Sequence, residues 1–360
     1  MNDPSGTYAQ AGVDVAAGDR AVELLKERLQ GTYGDAVIGG LGGFAAVYEA
    51  RALRDMRSPL LVTATDGVGT KTEIARMLGE HRTIGLDLVA MIADDVVTTG
   101  AQPLFMTDYL AVGKVVPEVV ASIVAGVQDG CAQVGCLLVG GETAEHPGLM
   151  APDAFDLAGA MTAVVEREDL LSPSKVQVGD VLLALGASGI HANGMSLARH
   201  VVFEKCRMSI DDDWPGLGKS VGEVLITPTL IYADVLLRLL QAHPGVVHAM
   251  AHITGGGLAA NLVRVLPAGV AARVDRGTWA LPPFFASLAE LGGVAEAEME
   301  KTFNQGVGMV LVVAESATAP VQQFLVGAGL KAWQAGVVEA AGGEGANAKL
   351  SVELVGRYLS

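Results

Sequence analysis

The sequence predicts an α/β protein with two domains. Its 360 residues are enough for about two domains, each with a large buried core. Half of the residues are apolar and 46 are glycine, a composition that favours buried strands and helices joined by many tight loops. In both halves of the chain, apolar segments of strand length are followed by glycines, polar residues and then a helical pattern.

Charge and cysteine content exclude several classes of protein. The net charge is -16 and the Lys and Arg residues are scattered, which argues against a nucleic-acid partner. No apolar run reaches the roughly 18 residues of a membrane span, so we expect no membrane partner and a cytoplasmic location. The three cysteines have no metal-binding spacing and are interpreted as buried thiols in a reducing compartment.

The first 50 residues predict an arm, a helix and a glycine-rich segment. Residues 1–18 lack a periodic pattern and are expected to form a mobile arm, and Asp19 is expected to cap the first helix. Gly40, Gly42 and Ala45 fit a dinucleotide-binding fingerprint, so an NAD-dependent oxidoreductase is one alternative. Because only a short apolar run precedes these glycines, we favour a glycine-rich flap over bound phosphates.

The stretch from Ser58 to Lys71 predicts a loop that binds a nucleotide and a metal ion. A strand-length apolar run ends in an acid, two glycines, a threonine and a lysine, namely Asp66, Gly67, Gly69, Thr70 and Lys71. The glycines let backbone N–H groups approach an anion, and the lysine adds positive charge. An acid beside phosphates indicates Mg²⁺. A Walker A loop is excluded because Thr70 stands where that motif has glycine, and an ordinary strand-to-helix turn is the alternative.

Acidic residues recur on the helix predicted over 85–100. Asp87, Asp94 and Asp95 share one side of this otherwise apolar helix, and buried carboxylates are normally paired or bound to metal. A solvated helix face is the alternative. Further on, an apolar strand ends in Gly140, Gly141 and Glu142. We therefore predict that Asp66, Asp94, Asp95 and Glu142 converge on one or more Mg²⁺ ions.

The second half of the chain repeats the strand-and-glycine pattern. His191 and Asn193 follow one predicted strand, His252 and Gly255–Gly257 follow another, and Asn304 precedes a third. A glycine-rich helix start binds anions, so a second ligand is expected here.

Two helix predictions belong to this half. Thr227 and Pro228 predict the start of an amphipathic helix. Arg264 is expected to lie too far along the helix after the glycines to contribute to anion binding.

Seven ordered motifs resemble those of the phosphoribosylformylglycinamidine cyclo-ligase family, also called aminoimidazole ribonucleotide synthetases. The resemblance extends from about Tyr8 to Val338. The motifs are DGVGTK at 66–71, GLDLVAM at 85–91, GAQPLFMTDY at 100–109, VGGETAEHPG at 139–148, GIHANGMSL at 189–197, HITGGG at 252–257 and FNQGVGM at 303–309.

The resemblance implies a fold and an activity. The activity is ATP-dependent closure of the imidazole ring of formylglycinamidine ribonucleotide, a C–N bond-forming ligase step of purine biosynthesis. The fold is α/β of the α+β type. An N-terminal ATP-binding domain, residues 19–170, would have a mixed or antiparallel sheet that pairs in a dimeric barrel. A C-terminal substrate-binding domain, residues 171–345, would be an α/β sandwich. The implied assembly is a homodimer.

The resemblance also implies residue roles. Catalytic residues would be Lys71, His191 and His252. ATP would contact Gly40, Gly42, Asp66, Gly67, Gly69, Thr70, Lys71, Asp87, Gly140 and Gly141. Metal ligands would be Asp66, Asp94, Asp95 and Glu142, with Asp94 standing where the family has Asn. The substrate would contact His191, Asn193, Gly255, Gly256, Gly257 and Asn304.

Alternative functions remain within and outside the superfamily. Another ATP-using phosphotransferase of similar fold would share the nucleotide motifs, and a non-catalytic scaffold would bind ATP without turnover. A selenophosphate synthetase is disfavoured because it carries a reactive Cys or selenocysteine near the N-terminus, whereas the first cysteine here is Cys131.

Overall fold

The computed structural model describes residues 15–29, 36–38, 43–341 and 351–359. The helices are α1 Val15–Leu29, α2 Lys71–Leu78, α3 Arg82–Val97, α4 Pro117–Gln133, α5 Met195–Arg199, α6 Val221–Ile226, α7 Ala233–Ala242, α8 Gly257–Leu262, α9 Pro283–Gly292, α10 Glu296–Thr302 and α11 Thr318–Gly327. The strands are β1 Val37–Ile38, β2 Val47–Tyr48, β3 Pro59–Gly67, β4 Gln102–Val112, β5 Leu137–Glu145, β6 Phe155–Glu166, β7 Val181–Gly186, β8 Val247–His252, β9 Val270–Asp275, β10 Val307–Val313, β11 Ala332–Ala340 and β12 Ser351–Val355.

The first half of the chain forms a mixed four-stranded sheet in the order β3-β6-β4-β5. β6 pairs antiparallel with both β3 and β4, whereas β4 and β5 are parallel. Helices α3 and α4 pack together, and they pack against β3, β6, β4 and β5. The other face carries exposed side chains such as Leu61 and Tyr109.

The second half forms a six-stranded sheet in the order β12-β9-β11-β7-β10-β8. Its pairs are antiparallel except for the parallel pair of β12 and β9. Apolar side chains of α7 and α11 pack with one set of strand residues, and those of α8 pack with the other set. The expected α/β class, with helices and separate sheets in the two halves, is confirmed. The expected end at residue 345 is too early, because β12 completes this sheet beyond it.

Helix α3 lies between the two halves. Twelve of its sixteen residues are buried, and the helix packs against β3, β6, α4 and α7. Burial on almost every side explains its nearly continuous apolar sequence. Its polar residues can therefore reach both halves of the molecule.

Two predicted helix starts differ from the structure. Helix α1 begins at Val15, four residues before Asp19, and residues 1–14 of the expected arm lie outside the described ranges. Thr227 follows the end of α6, and the next helix begins only at Ala233. The side chain that caps the helix beginning at Ala233 belongs to α3. The residues next to Ala233 in the sequence therefore do not signal where this helix begins.

Within the described ranges, no helix combines the length and apolar character required to span a membrane.

Candidate active site

The loop between β3 and α2 has the predicted strand-loop-helix form. Gly69 adopts a positive φ of 56°, a conformation that glycine accepts without steric strain. The backbone N–H of Gly67 donates to Asp66 Oδ1 at 2.7 Å. Burial raises the pKa of Asp66, and the nearby Asp95 carboxylate also raises it. Two acidic side chains from β3 and α3 therefore lie close together.

Lys71 and Asp87 form a buried ion pair. Lys71 Nζ donates to Asp87 Oδ1 and to the carbonyl of Thr227, both at 2.7 Å, and neither charged side chain is exposed. The backbone N–H and hydroxyl of Thr229 also donate to Asp87 Oδ1. Burial lowers the pKa of Lys71, and the Asp87 carboxylate opposes this effect. In this structure both charges bind protein groups that join α2 and α3 to the second half, so ATP contact stays a prediction for both.

Asp94 caps helix α7 instead of facing a cleft. Its Oδ1 accepts hydrogen bonds from the backbone N–H groups of Tyr232 and Ala233, both at 2.9 Å. Its side chain is fully buried, and Oδ2 has no hydrogen-bond partner among the described residues. Burial raises the pKa of Asp94 to about 7. This arrangement gives Asp94 a structural role that the sequence did not indicate.

The predicted metal ligands are not gathered into one cluster. In the part of the chain that the structure describes, no group of three or more His, Cys, Asp or Glu side chains could hold a metal ion. Convergence of Asp66, Asp94, Asp95 and Glu142 on one or more Mg²⁺ ions stays a prediction, and one oxygen of Asp94 is already bound by α7. Asp66 and Asp95 remain as a pair of hard oxygen ligands, which suits Mg²⁺ that keeps several waters and binds nucleotide phosphates.

His252 and Asp95 join the two halves. His252 Nδ1 lies 2.9 Å from Asp95 Oδ1, with the imidazole buried and the carboxylate about half exposed. Beside them is a cavity of about 230 Å³, which Asn261 and Arg264 also line. Arg264, which we expected to lie too far along its helix, thus shares a cavity with His252.

His191 is held in an environment that disfavours its charged form. It has a positive φ of 64° and is almost fully buried, and the N–H of Ser188 donates to its Nε2. Burial, together with the charges of His252 and Lys71, lowers the pKa of His191 to about 3. A neutral imidazole at neutral pH does not fit a proton donor, so this geometry favours a positioning role.

The three motifs of the second half meet in the structure. Asn304 is buried and donates through Nδ2 to the carbonyl of Gly189 at 2.9 Å. Asn193 donates to Met91 Sδ of α3 at 3.5 Å, and a Cβ added to Gly255 would lie 3.4 Å from Asn193 Oδ1. Residues predicted to contact substrate therefore lie beside each other and beside α3.

The glycines after β8 have a packing explanation. Gly256 and Gly257 have positive φ values of 97° and 72°, and a Cβ at Gly257 would overlap the carbonyl oxygen of Glu300. Asn261 Nδ2 donates to the carbonyls of Gly255 and Gly257. These contacts explain the turn and the close approach to α10 without a ligand, so phosphate binding by this loop stays a prediction.

Predicted nucleotide residues of β5 line two cavities at the edge of the first sheet. Gly140, Gly141 and Glu142 line both a cavity of about 290 Å³ and a neighbouring one of about 460 Å³. The larger cavity is also lined by residues 43–46, which continue the glycine-rich segment. Gly40 and Gly42 themselves lie outside the described ranges.

Comparisons with known proteins place this arrangement in a family. The N-terminal model of the AIR synthase related proteins matches residues 44–165, and the C-terminal model matches residues 177–349. A phosphoribosylformylglycinamidine cyclo-ligase of Geobacillus thermodenitrificans is 47% identical over 318 residues, covering 88% of this chain and 91% of that protein. The chain belongs to the phosphoribosylformylglycinamidine cyclo-ligase family. The resemblance indicated by the seven motifs is confirmed.

Another cyclo-ligase extends the match over almost the whole chain. The protein of a Picosynechococcus species is 46% identical over 338 residues, covering 94% of this chain and 98% of that protein. The similarity therefore includes both halves and the segments between them.

Solved structures with the same fold have diverged far in sequence. A thiamine-monophosphate kinase from Stenotrophomonas maltophilia has a TM-score of 0.66 at 18% identity, covering 95% of this chain and 96% of that chain. The hydrogenase maturation protein HypE from E. coli has a TM-score of 0.64 at 17% identity, covering 94% and 95%. At these low identities, the two neighbours support the fold of this cyclo-ligase family member and do not indicate its activity.

Sequence reasoning missed several residues of this site. Thr229 and Tyr232 bind the acids of α3, and Ser196 Oγ lies 2.9 Å from the Thr70 hydroxyl across the two halves. Thr229 and Tyr232 lie outside all seven motifs. Ser196 lies within GIHANGMSL, but its sequence context does not indicate a partner in the β3–α2 loop.

Proposed function

We propose that this enzyme uses ATP with Mg²⁺ to close the imidazole ring of formylglycinamidine ribonucleotide, releasing aminoimidazole ribonucleotide, ADP and phosphate. The contact between Asp95 and His252 carries this proposal, because it joins the predicted nucleotide side to the predicted substrate side. A relative 47% identical over most of the chain bears the name of this activity. The cytoplasm is the proposed location.

The chemistry requires activation of a poor leaving group. Phosphorylation of the amide oxygen by ATP would let the amidine nitrogen attack the carbon and expel phosphate. Positioning and charge neutralisation supply most of the rate increase in such phosphoryl transfers. Mg²⁺ held beside Asp66 and Asp95 would neutralise phosphate charge, with backbone groups of Gly67, Gly69 and Thr70 facing the phosphates.

Individual side chains of the second half have proposed roles at the substrate. An ionised Asp95 carboxylate only accepts hydrogen bonds, so Nδ1 of His252 would donate to it, and Nε2 of the neutral imidazole would accept a proton from the attacking nitrogen. His191, Asn193 and Asn304 shape the substrate side. The buried Lys71 and Asp87 hold the β3–α2 loop against the second half. Gly140 and Gly141, together with the flap that contains Gly40 and Gly42, would contact the nucleotide.

We propose a division of labour between the domains. Residues 19–170 would bind ATP and form the dimer, and the second domain would bind the ribonucleotide. An ATP complex of the structural neighbour HypE, with a TM-score of 0.62 at 20% identity, supports nucleotide binding by this fold.

The proposed function is tested by following two products together. Purified protein is mixed with formylglycinamidine ribonucleotide, ATP and Mg²⁺, and we expect equal, substrate-dependent amounts of ADP and the aminoimidazole product. ADP without the imidazole would indicate a different acceptor, and the absence of ADP would indicate a scaffold without turnover.

His252→Ala tests the proposed proton acceptor in the same assay. We expect ring closure to fall by about 10²- to 10⁴-fold, the usual contribution of a general acid or base, while ATP still raises the melting temperature. His200→Ala is the matched control, because that histidine is exposed and pairs only with Glu204 among the described residues. Loss of the ATP-induced shift in His252→Ala would place His252 at the nucleotide instead.

A further inference from the structure

A mostly apolar cavity of about 290 Å³ lies between α1 and the edge of the first sheet. Ala21 of α1, Val124 of α4 and Leu138 of β5 form apolar walls, and Asp108 of β4 adds a carboxylate. Ala21, Val124 and Leu138 are buried hydrophobic residues. The cavity is therefore mostly apolar and has two acidic residues in its lining, Asp108 and Glu142.

The carboxylate of Asp108 lies on the core side of the sheet. Its neighbours at alternate positions, Met106 and Leu110, are fully buried, and a Cβ at Gly141 would overlap Asp108 Oδ1. Glycine at position 141 thus leaves the space that this carboxylate occupies. Burial raises the pKa of Asp108 to about 7.

Among the described residues, no other residue donates a hydrogen bond to the Asp108 carboxylate, and its own backbone N–H partly offsets the effect of burial on its pKa. The Asp108 side chain is half-buried and faces the cavity, so its oxygens can be satisfied by water or by a ligand there. The walls of the cavity are suited to a flat apolar ring that brings its own donor.

We propose that this cavity binds the base of the nucleotide, with Asp108 accepting a hydrogen bond from the exocyclic amine of an adenine ring. The proposal rests on the proposed use of ATP and adds the residue that selects the base. A cavity of ~150 Å³ holds a benzene ring, so about 290 Å³ accommodates a bicyclic base.

The position and chemistry of Asp108 support this choice of base. Gly140, Gly141 and Glu142 line this cavity and the neighbouring cavity of about 460 Å³, so the rest of the nucleotide can extend along the edge of β5. Adenine presents an amine where guanine presents a carbonyl oxygen. The ionised carboxylate of Asp108 only accepts hydrogen bonds, and two acceptors facing each other repel, so above its pKa Asp108 would discriminate against guanine.

Asp108→Asn tests the selection of the base. The dissociation constants of ATP and GTP are measured with Mg²⁺ by calorimetry, without the ribonucleotide. We expect the wild type to prefer ATP, and the variant to lose ~10- to 100-fold of this preference, because an amide can donate to the guanine carbonyl. Asp55→Asn is the control, since Asp55 is exposed and lines neither cavity.

Ala21→Leu tests the cavity without altering its charge. A larger side chain at this buried position fills the space for the base, so we expect weaker binding of ATP while the melting temperature of the unbound protein is kept or raised. Ala16→Leu, at an exposed position of the same helix, should bind ATP as the wild type does.

Either variant binding both nucleotides with the wild-type affinities would overturn the proposal. If a variant has wild-type affinities while the wild type binds ATP and forms the imidazole product, the base binds at another place in the protein and the proposed function stands. If the wild type binds neither ATP nor GTP, the proposed function and the base site fail together. Should Asp108→Asn fail to fold, the Ala21→Leu result decides.

Discussion

Asp94 is a buried carboxylate that is satisfied on only one oxygen. Oδ1 accepts two backbone hydrogen bonds at the start of α7, whereas Oδ2 has no partner among the described residues. Burial raises the pKa of Asp94 to about 7 from an ordinary value near 4. Between about pH 4 and pH 7, the Asp94 carboxyl is therefore protonated in the folded protein and ionised in the unfolded chain. The free energy of unfolding decreases as pH rises through this range.

Asp94→Asn should stabilise the protein at high pH. The amide keeps an oxygen for the N–H groups of Tyr232 and Ala233 and never ionises. We expect the free energy of unfolding at pH 8 to rise by roughly 1–3 kcal/mol, with little difference at pH 4. Urea denaturation at both pH values measures this, with Asp55→Asn as an exposed control. An equal change at the two pH values would show that ionisation of Asp94 is not the cause.

Helix α3 connects the two halves through three acids on its length. Asp87 binds Lys71 and Thr229, Asp94 caps α7, and Asp95 binds His252. The first two contacts are fully buried, so they set how the two sheets are placed relative to each other. The third is partly exposed and is available to ligands.

Lys71→Met should destabilise the protein strongly, because it leaves Asp87 buried and unpaired. We expect a loss of about 3–5 kcal/mol in the free energy of unfolding, measured by urea denaturation. The double variant Lys71→Met with Asp87→Leu should recover most of this loss, since an apolar pair has no charge to desolvate. Arg238→Met breaks an exposed pair with Asp234 and should cost less than about 1 kcal/mol.

The double variant also separates two roles of Lys71. If ATP still raises its melting temperature, Lys71 acts by holding the two halves together. If stability returns and the ATP effect does not, the lysine contacts the nucleotide as the family resemblance implies.

At the scale of the whole molecule, the helices of the described ranges cover only one face of the first sheet. Leu61 and Tyr109 on this face are 65% and 44% exposed, and Thr63 and Thr65 are exposed beside Leu61 on β3. Apolar surface on an open sheet favours association with another sheet. We propose that two copies of this face form the homodimer that the family resemblance implies.

Leu61→Glu should disrupt this dimer. A charge buried in an interface between two sheets is desolvated without a partner, so we expect a shift from twice the mass of one chain towards a monomer. Light scattering during gel filtration measures the mass. Val178→Glu, at an exposed apolar residue outside the sheets, is the control and should leave the mass unchanged. A wild-type monomer, or a dimer in Leu61→Glu, would contradict the proposed interface.

The sequence by itself determined the family, the α/β class and the strand-loop-helix form around Asp66. The strand and helix on either side of Asp66 follow from local periodicity and glycine placement, and both were found where they were expected. Seven motifs in order were enough to identify the family, because each is a short local pattern.

Only the tertiary structure decided which polar groups are partners. Asp94 and Tyr232 are 138 residues apart, Asp87 and Thr229 are 142 apart, and Asp95 and His252 are 157 apart. Local patterns predicted that the carboxylates of α3 have partners. Whether each partner is a metal ion, a lysine or the start of a helix depends on how distant segments pack together. Burial then sets the charge of each group, since the same carboxyl type is exposed at Asp95 and fully enclosed at Asp94.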